Sequence, residues 1–380
     1  MLSTNYYSDK AIFNLEKEKI FLKNWVFFGL INEFTNKNNI IKKKVFGVDV
    51  IITKNKNLFK AFLNICPHRF NKILDTDSTL HSENQIRCKY HGWCFNLDGS
   101  IKKIPLKDQL YQKNFEKLSL NRINIKIVGN FIFLNFSKRK ENIEAQFSKK
   151  ILKFLFDISK KINEFEIIEL KRNFNWKLII ENLRDPLHPL FLHPTSLLKN
   201  IKFSTPGIPK WLPIFFLRKK YISYGGPDTE INNPSYENLF IDRWSAKNKY
   251  HNYHLFPNLH IACPDNGCTF LIENFIPISS NKTLIQIYYV YTKHRMDNKT
   301  FEEFKSKQFS SSMKVYNEDF NLIEKIQNNL DSNIYLHPHN GKYERMILRF
   351  HGFYLRKIGI FKYYKNKINL LLSNILNINR

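Results

Sequence analysis

Two short loops constrain this chain more than any other part of it. They are Cys66-Pro-His68-Arg69 and Cys88-Lys-Tyr-His91-Gly-Trp93, a C-x-H pair and a C-x2-H pair. Each follows a run that reads as a strand, so both pairs fall on turns at the tips of neighbouring hairpins, where they can close on a metal centre. Two Cys and two His suit structural zinc. A zinc finger, however, sets its two His roughly three to five residues apart on one helix, after a paired C-x2-4-C. Here each loop supplies one thiol and one imidazole, and neither has a helical pattern. That mixed pairing is the donor set of a [2Fe-2S] cluster in which one iron takes two thiolates and the other two imidazoles. Neutral imidazoles leave less negative charge on the site and raise its reduction potential above that of an all-Cys cluster. In such a site Gly92 would let the backbone approach the inorganic sulfide, and Trp93 would cover the cluster. Cys94, just beyond the second loop, reads as a small packing residue.

The loops sit among short β-branched and aromatic runs: IIKKKVFGVDVIITK, LFKAFLNI, NQIRCKY, HGWCFNL and NIKIVGNFIFLNF. Turn chemistry separates them, most clearly Asp98-Gly99, a hairpin signal. Residues 38–140 therefore read as an all-β domain. Before it, 1–37 reads as an N-terminal helical segment that packs on the C-terminal domain. Its helix covers 9–24, with Ser8 as the expected N-cap. After it, SKRKENIEAQF reads as a linker. The remainder, within 141–380, mixes a helix (KKILKFLFDISKKI), strands around 165–180 and strand-like runs such as TFLIENFIPI and TLIQIYYVYT. A long helix over 300–330 and a basic, apolar helical tail over 342–378 follow. The fold class is α+β in two domains.

A disordered chain is excluded by an apolar fraction of 43% and an aromatic fraction of 15%. Five cysteines in 380 residues are no disulfide framework. The first twenty residues do not read as a secretory leader, so none is expected, and no run of about 18 apolar residues suggests a membrane span. The expectation is a cytoplasmic protein with no membrane span, where Cys beside His suggests metal. The net charge of +27 is spread along the chain and interleaved with Asn and Ile, as in NKNNIIKKK. That pattern reads as a compositional bias. Its functional counterpart is an acidic protein partner, and without a binding motif nucleic acid is not expected as one.

A second constellation lies at Glu181-Asn182-Leu-Arg-Asp185-Pro-Leu-His188-Pro-Leu-Phe-Leu-His193. Two His with a carboxylate suggest a facial triad, which holds Fe(II) and leaves one face open for O2 and substrate. On an ideal helix, residues five apart are about 140° apart. His188 and His193 thus need a break between them, which Pro189 is expected to provide. Other histidines, His251, His254 and His260 in YHNYHLFPNLHI, suit either a pocket lining or a structural role. Cys263 and Cys268 read as flanking a turn between strands.

Together these segments carry a resemblance. CPHR followed by CKYHGWCFNLDGSIKKIP resembles the Rieske domain of Rieske non-haem iron oxygenases, large (α) subunits of the aromatic-ring-hydroxylating dioxygenase type. ENLRDPLHPLFLH resembles the same family's E-N-x-x-D-x-x-H-x4-H segment at every motif position. The resemblance implies an all-β Rieske domain and a helix-grip, START-like α+β catalytic domain. It makes Cys66, His68, Cys88 and His91 the cluster ligands and His188 and His193 ligands of a mononuclear iron. The third ligand would come from NEDFNLIEKIQNNL, where Asp319 is expected and Glu318 is the adjacent competitor; Glu324 reads as structural. Asn182 and Asp185 enter as catalytic-site residues. Asp185 would bridge the metal sites across a subunit boundary, binding His188 of one subunit and His91 of its neighbour. By the same resemblance choline- and carnitine-type members often carry Glu at this place, so Asp mildly disfavours that subclass.

The function implied is the terminal oxygenase of a Rieske-type system. Electrons from a ferredoxin and/or an NAD(P)H-dependent flavin reductase would reach the mononuclear Fe(II), where O2 is activated to hydroxylate, dihydroxylate or demethylate a small, largely apolar organic substrate. A homotrimer is implied as well. The rival is a zinc-stabilised basic binding protein without redox activity.

Overall fold

Ile40–Val45 and Val48–Asn55 are apolar and β-branched, joined by a tight turn, and they pair antiparallel from Ile40 opposite Thr53 to Val45 opposite Val48. They belong to a computed structural model that describes residues 2–359 except 36–38, 76–84, 111–114, 116–117, 140, 198–200, 204–215, 218–219, 226–228, 232–236, 244–250, 264–266, 333, 335–337, 340 and 342–343. The chain divides into two units, Leu22–Ser159 and a second made of Met1–Phe21 with Lys160–Arg380.

In the first unit the strands are β1 (Val26–Leu30), β2 (Ile40–Val45), β3 (Val48–Asn55), β4 (Leu58–Leu63), β5 (Ile86–Arg87), β6 (Cys94–Phe95), β7 (Ile101–Lys103), β8 (Arg122–Val128) and β9 (Phe131–Asn135). One antiparallel sheet has the order β1-β9-β8-β4-β3-β2, and β5-β6-β7 form a second. β1 lies inside the stretch read as helical. All five of its residues are buried, so it lacks the alternation that marks a half-exposed strand. The helix near 150 is present at Lys149–Ser159. Ile40, Ile51, Phe62, Ile86 and Phe95 pack into one core with Cys66, Cys88 and Trp93. The Asp98-Gly99 turn joins β6 to β7. Gly99 sits at φ +83, and a Cβ there would lie 2.3 Å from Phe62 Cε1, so only glycine fits.

The second unit opens with helices α1 (Asn5–Ser8) and α2 (Lys10–Glu16). The expected cap at Ser8 is displaced by one residue: Ser8 ends α1, and the Asp9 carboxylate accepts from Ala11 N and Ile12 N at the start of α2. Helix α3 is the first unit's Lys149–Ser159. Strand β10 (Glu164–Arg172) leads to α4 (Trp176–Arg184) and α5 (His188–Leu192). The strand expected through 180 thus stops at Arg172. Asn175 ends the extended run by capping α4, its Oδ1 accepting from Lys177 N at 2.9 Å. Its amide donates to Ser280 O and Tyr7 O, and its backbone N–H to Gln327 Oε1. The start of α4 is therefore fixed from three directions. Two residues on, Lys177 is fully buried against Glu16, which also accepts from Trp176 Nε1 and the Tyr354 hydroxyl.

The later strands are β11 (Ile201–Phe203), β12 (Phe216–Leu217), β13 (Lys220–Gly225), β14 (Thr229–Ile231), β15 (His251–Leu255), β16 (Leu259–Cys263), β17 (Thr269–Ser279) and β18 (Lys282–Tyr291). β11 pairs with β14, and the main sheet runs β10-β18-β17-β16-β15-β13-β12. Helix α6 (Asn298–Leu330) follows, 33 residues and so about 50 Å long. It lies on the sheet through Tyr316 to Glu273 and Ser312 to Tyr289. Its inward stripe contains Phe301, Phe304, Phe320, Ile323 and, among them, Asp319. Helix α7 (Arg345–Ile358) begins the basic tail; the rest of that expected helix lies outside the described residues.

Candidate metal centres

The first loop follows β4 and the second is the tip of the β5–β6 hairpin. Both are closed by backbone hydrogen bonds: Phe70 N to Cys66 O at 2.9 Å, and Gly92 N to Cys88 O at 3.0 Å. Gly92 takes φ +69, in the left-handed region. Cys66 and Cys88 are buried next to one another. Burial, reinforced by Cys88, pushes the Cys66 thiol up to about 11. The imidazoles pair in turn, His68 and His91 with ring centroids 4.6 Å apart. Trp93 stacks on His68 at 4.7 Å and 3°. Thiols thus gather with thiols and imidazoles with imidazoles. His68 Nδ1 is buried with no hydrogen-bond partner, and burial followed by the nearby His91 holds that ring below its ordinary value. An orphaned, neutral ring nitrogen beside a paired-thiol site is what a cluster with one imidazole-ligated iron requires. Asn71 Nδ2 lies 3.9 Å from Cys88 Sγ, a weak donor of the kind that tunes such sulfurs.

The second centre is built from α4, α5 and α6. Among the described residues, His188, His193 and Asp319 bring one donor atom each within 4.8 Å of one another. Pro189 does not break a helix between the two His. It stands in the first turn of α5, where a missing N–H costs nothing. The break lies earlier, at 185–187. His188 opens α5 and His193 caps its end with non-helical backbone, so the two rings converge at 5.4 Å. Both present Nε2 to Asp319 Oδ1, His193 at 3.0 Å and His188 at 3.5 Å.

The opposite nitrogens are occupied. His188 Nδ1–H donates to the Asp185 carbonyl at 3.0 Å, and His193 Nδ1–H to Glu318 Oε2 at 2.7 Å. Glu318 also accepts from the Ser196 hydroxyl. It is therefore the partner of the imidazole's outer edge, while Asp319 faces the shared centre. Sequence reasoning set Glu318 beside Asp319 as a competing ligand and missed both this orienting contact and Ser196. The signal available was Asp319 itself, a carboxylate on the apolar stripe of an amphipathic helix.

Asn182 Nδ2 donates to Asp319 Oδ1 at 3.0 Å and aims that carboxylate. Asp185 keeps its carboxylate close to home: Oδ1 accepts from Leu187 N at 2.8 Å, and Oδ2 lies 4.0 Å from His188 Nδ1. Glu324 ties Arg172 and Asn173 N to α6, a structural contact. Burial outweighs Asp319 and holds His188 below its ordinary value. At His193 burial is outweighed by Asp319 and Glu318, which hold it above. Burial opposes the shift at Glu318, but Ser196 and His193 keep its carboxyl below the usual range. Two imidazole lone pairs and one carboxylate oxygen on one side fit a divalent iron with an open face.

Two family models match the chain: the Rieske [2Fe-2S] domain over 24–118, and the ring-hydroxylating alpha subunit catalytic domain over 160–360. The chain belongs to the ring-hydroxylating oxygenase alpha subunits. This alpha subunit is similar to the carnitine monooxygenase oxygenase subunit of Acinetobacter pittii, 24% identical over 87% of this chain and 85% of that one. Its fold is similar to that of a quaternary ammonium Rieske monooxygenase, with a TM-score of 0.74, 21% identity and coverage of 93% and 94%. It also resembles naphthalene 1,2-dioxygenase from Rhodococcus sp., with a TM-score of 0.72, 15% identity and 93% of each chain.

The alpha subunit is the terminal oxygenase component of a Rieske-type system: it accepts electrons at a [2Fe-2S] cluster and passes them to a mononuclear Fe(II), where O2 is used to oxidise an organic substrate. Such subunits work with reductase or ferredoxin partners and are multimeric. The zinc-stabilised, redox-inactive reading is set aside. Among the described residues, no helix is long and apolar enough to cross a membrane.

Proposed function

We propose that His188, His193 and Asp319 hold the mononuclear iron, that Cys66, His68, Cys88 and His91 hold the cluster, and that the substrate is a quaternary ammonium compound oxidised at a carbon next to nitrogen. The observation that carries the iron assignment is the convergence of two Nε2 atoms and one carboxylate oxygen within 4.8 Å. In this reading Asn182 aims Asp319, and Glu318 with Ser196 fixes the tautomer and orientation of His193. The substrate class is supported by similarity to a carnitine monooxygenase over nearly the whole chain. Asp185 argues the other way, since the family resemblance implies Glu at this place in many choline- and carnitine-type members. Hydroxylation of an N-methyl carbon gives a carbinolamine, which collapses to the demethylated amine and formaldehyde.

Asp185 is proposed as the inter-site bridge to His91 of a neighbouring subunit in a homotrimer. The exposure of His91, with its neighbour Tyr90 57% exposed, supports contact with a second copy. A ferredoxin and/or NAD(P)H-dependent flavin reductase supplies the electrons, in a cytoplasmic setting. The working division is an N-terminal segment over 1–37, a cluster domain over 38–140 and a catalytic domain over 141–380.

The test is a turnover screen under 18O-labelled O2 with quaternary ammonium and aromatic substrates. Formaldehyde and a tertiary amine released one-to-one with the O2 consumed, from a quaternary ammonium substrate, support the proposal. A cis-diol with two labelled oxygens from an aromatic ring supports ring dihydroxylation instead, the reading favoured by the family's ring-hydroxylating character.

A further inference from the structure

Four side chains form a buried polar chain that plays no part in the metal centres as described. The Tyr316 hydroxyl donates to Glu273 Oε1 at 2.8 Å. The other oxygen of Glu273 meets His260 Nδ1. His260 Nε2 lies 3.3 Å from Arg184 Nη2 and 2.6 Å from Asn252 Oδ1. Arg184, His260 and Glu273 are 4%, 1% and 2% exposed. His260 and Glu273 are direct partners across β16 and β17, so the sheet presents them together on the face that α6 covers.

The ends of this chain are its informative part. Arg184 closes α4 and is followed at once by Asp185 and the His188–His193 segment. Tyr316 stands three residues, about one turn, before Asp319 on α6. The relay therefore runs from the helix that leads into the His188–His193 segment, through the sheet, to the helix that carries Asp319. Apolar contacts such as Phe174 with Phe320 resist separation of α6 from the core but tolerate sliding along its axis. Hydrogen bonds to a buried carboxylate fix both length and direction, and a mispaired one is strongly disfavoured.

We propose that Glu273 is a positioning residue for the mononuclear iron: through Tyr316 on one side and His260–Arg184 on the other, it acts with the direct Asn182–Asp319 and Asn175–Gln327 bonds to hold the axial register of α6 against α4. It thereby helps set how far Asp319 Oδ1 stands from the Nε2 atoms of His188 and His193. The inference rests on the ligand assignment proposed above and adds to it a residue that touches no ligand.

The experiment measures Fe(II) release to a chromogenic chelator under anaerobic conditions, using the holoprotein and following cluster absorbance in the same sample. Tyr316→Phe removes one hydroxyl and keeps the buried Glu273–His260 pair, and Glu273→Gln weakens both ends. Tyr289→Phe is the control. Its hydroxyl makes an equivalent bond from the sheet to the same helix, 2.7 Å to Ser312 Oγ, and among the described residues no hydrogen bond leads from it to α4. Tyr316→Phe is expected to speed loss of mononuclear Fe(II) about ten-fold, with cluster absorbance intact and Tyr289→Phe at the wild-type rate. A Tyr316→Phe protein that releases iron at the wild-type rate overturns the proposal. Equal acceleration by Tyr289→Phe does the same, since it reduces the effect to general sheet–helix packing. If Glu273→Gln fails to fold, the Tyr316/Tyr289 comparison still decides. A wild-type protein holding cluster iron alone would refute the ligand assignment itself, and the relay with it.

Discussion

Glu318 accepts the Nδ1 hydrogen of His193 at 2.7 Å. Its neighbour Asp319 meets the opposite nitrogen of the same ring at 3.0 Å. Consecutive carboxylates on one helix thus take different roles, because one lies on the buried stripe and the other at its margin. Asp319→Ala is expected to abolish mononuclear iron and leave the cluster spectrum unchanged. Glu318→Gln should retain that iron with affinity lowered roughly 10- to 100-fold, as for other partners of metal-bound imidazoles. Metal analysis after dialysis at graded Fe(II) separates them. Equal loss in both variants would make Glu318 a ligand rather than an orienting group.

Asp185→Asn keeps a side-chain oxygen for Leu187 N, the bond seen at 2.8 Å, so the turn before His188 should survive. Both metals should stay bound while electron transfer between them slows, by roughly 10- to 100-fold if the carboxylate bridges the sites. Single-turnover oxidation of the pre-reduced protein measures this. Unchanged kinetics would confine Asp185 to its local turn.

Lys177 and Glu16 are both fully buried. Lys177→Met strands the Glu16 carboxylate with Trp176 and Tyr354 as its remaining donors. Removing one partner of a buried pair costs about 3–5 kcal/mol. Adding Glu16→Gln should recover part of the loss, as read by urea denaturation. A single variant as stable as wild type would mean that water reaches this pair.

Gly99→Ala forces a Cβ to 2.3 Å from Phe62 Cε1 in a left-handed backbone. Overpacking of this kind costs about 1–3 kcal/mol, visible as a lowered melting temperature. Wild-type melting would show that Phe62 can move aside.

These residues also show where the sequence was legible. Both Cys/His loops and the His188–His193 segment stand out in the sequence because Cys and His at such spacings are rare by chance. The 300–330 helix was readable because its apolar stripe repeats for many turns. β1 was not, since five consecutive buried residues carry no period. Residues 173–180 read as strand although they lead into α4 and form its start: Trp176, Leu178, Ile179 and Ile180 are all buried, and burial on all sides hides the helical repeat. The Arg184–His260–Glu273–Tyr316 relay was invisible for another reason: its members come from α4, the β16–β17 pair and α6, and meet only once the sheet is assembled.

The most direct test of two iron stations in one alpha subunit is metal and sulfide analysis of anaerobically purified protein. About three irons and two acid-labile sulfides per chain are expected, with a red-brown colour. A colourless protein holding zinc and no sulfide would contradict the account.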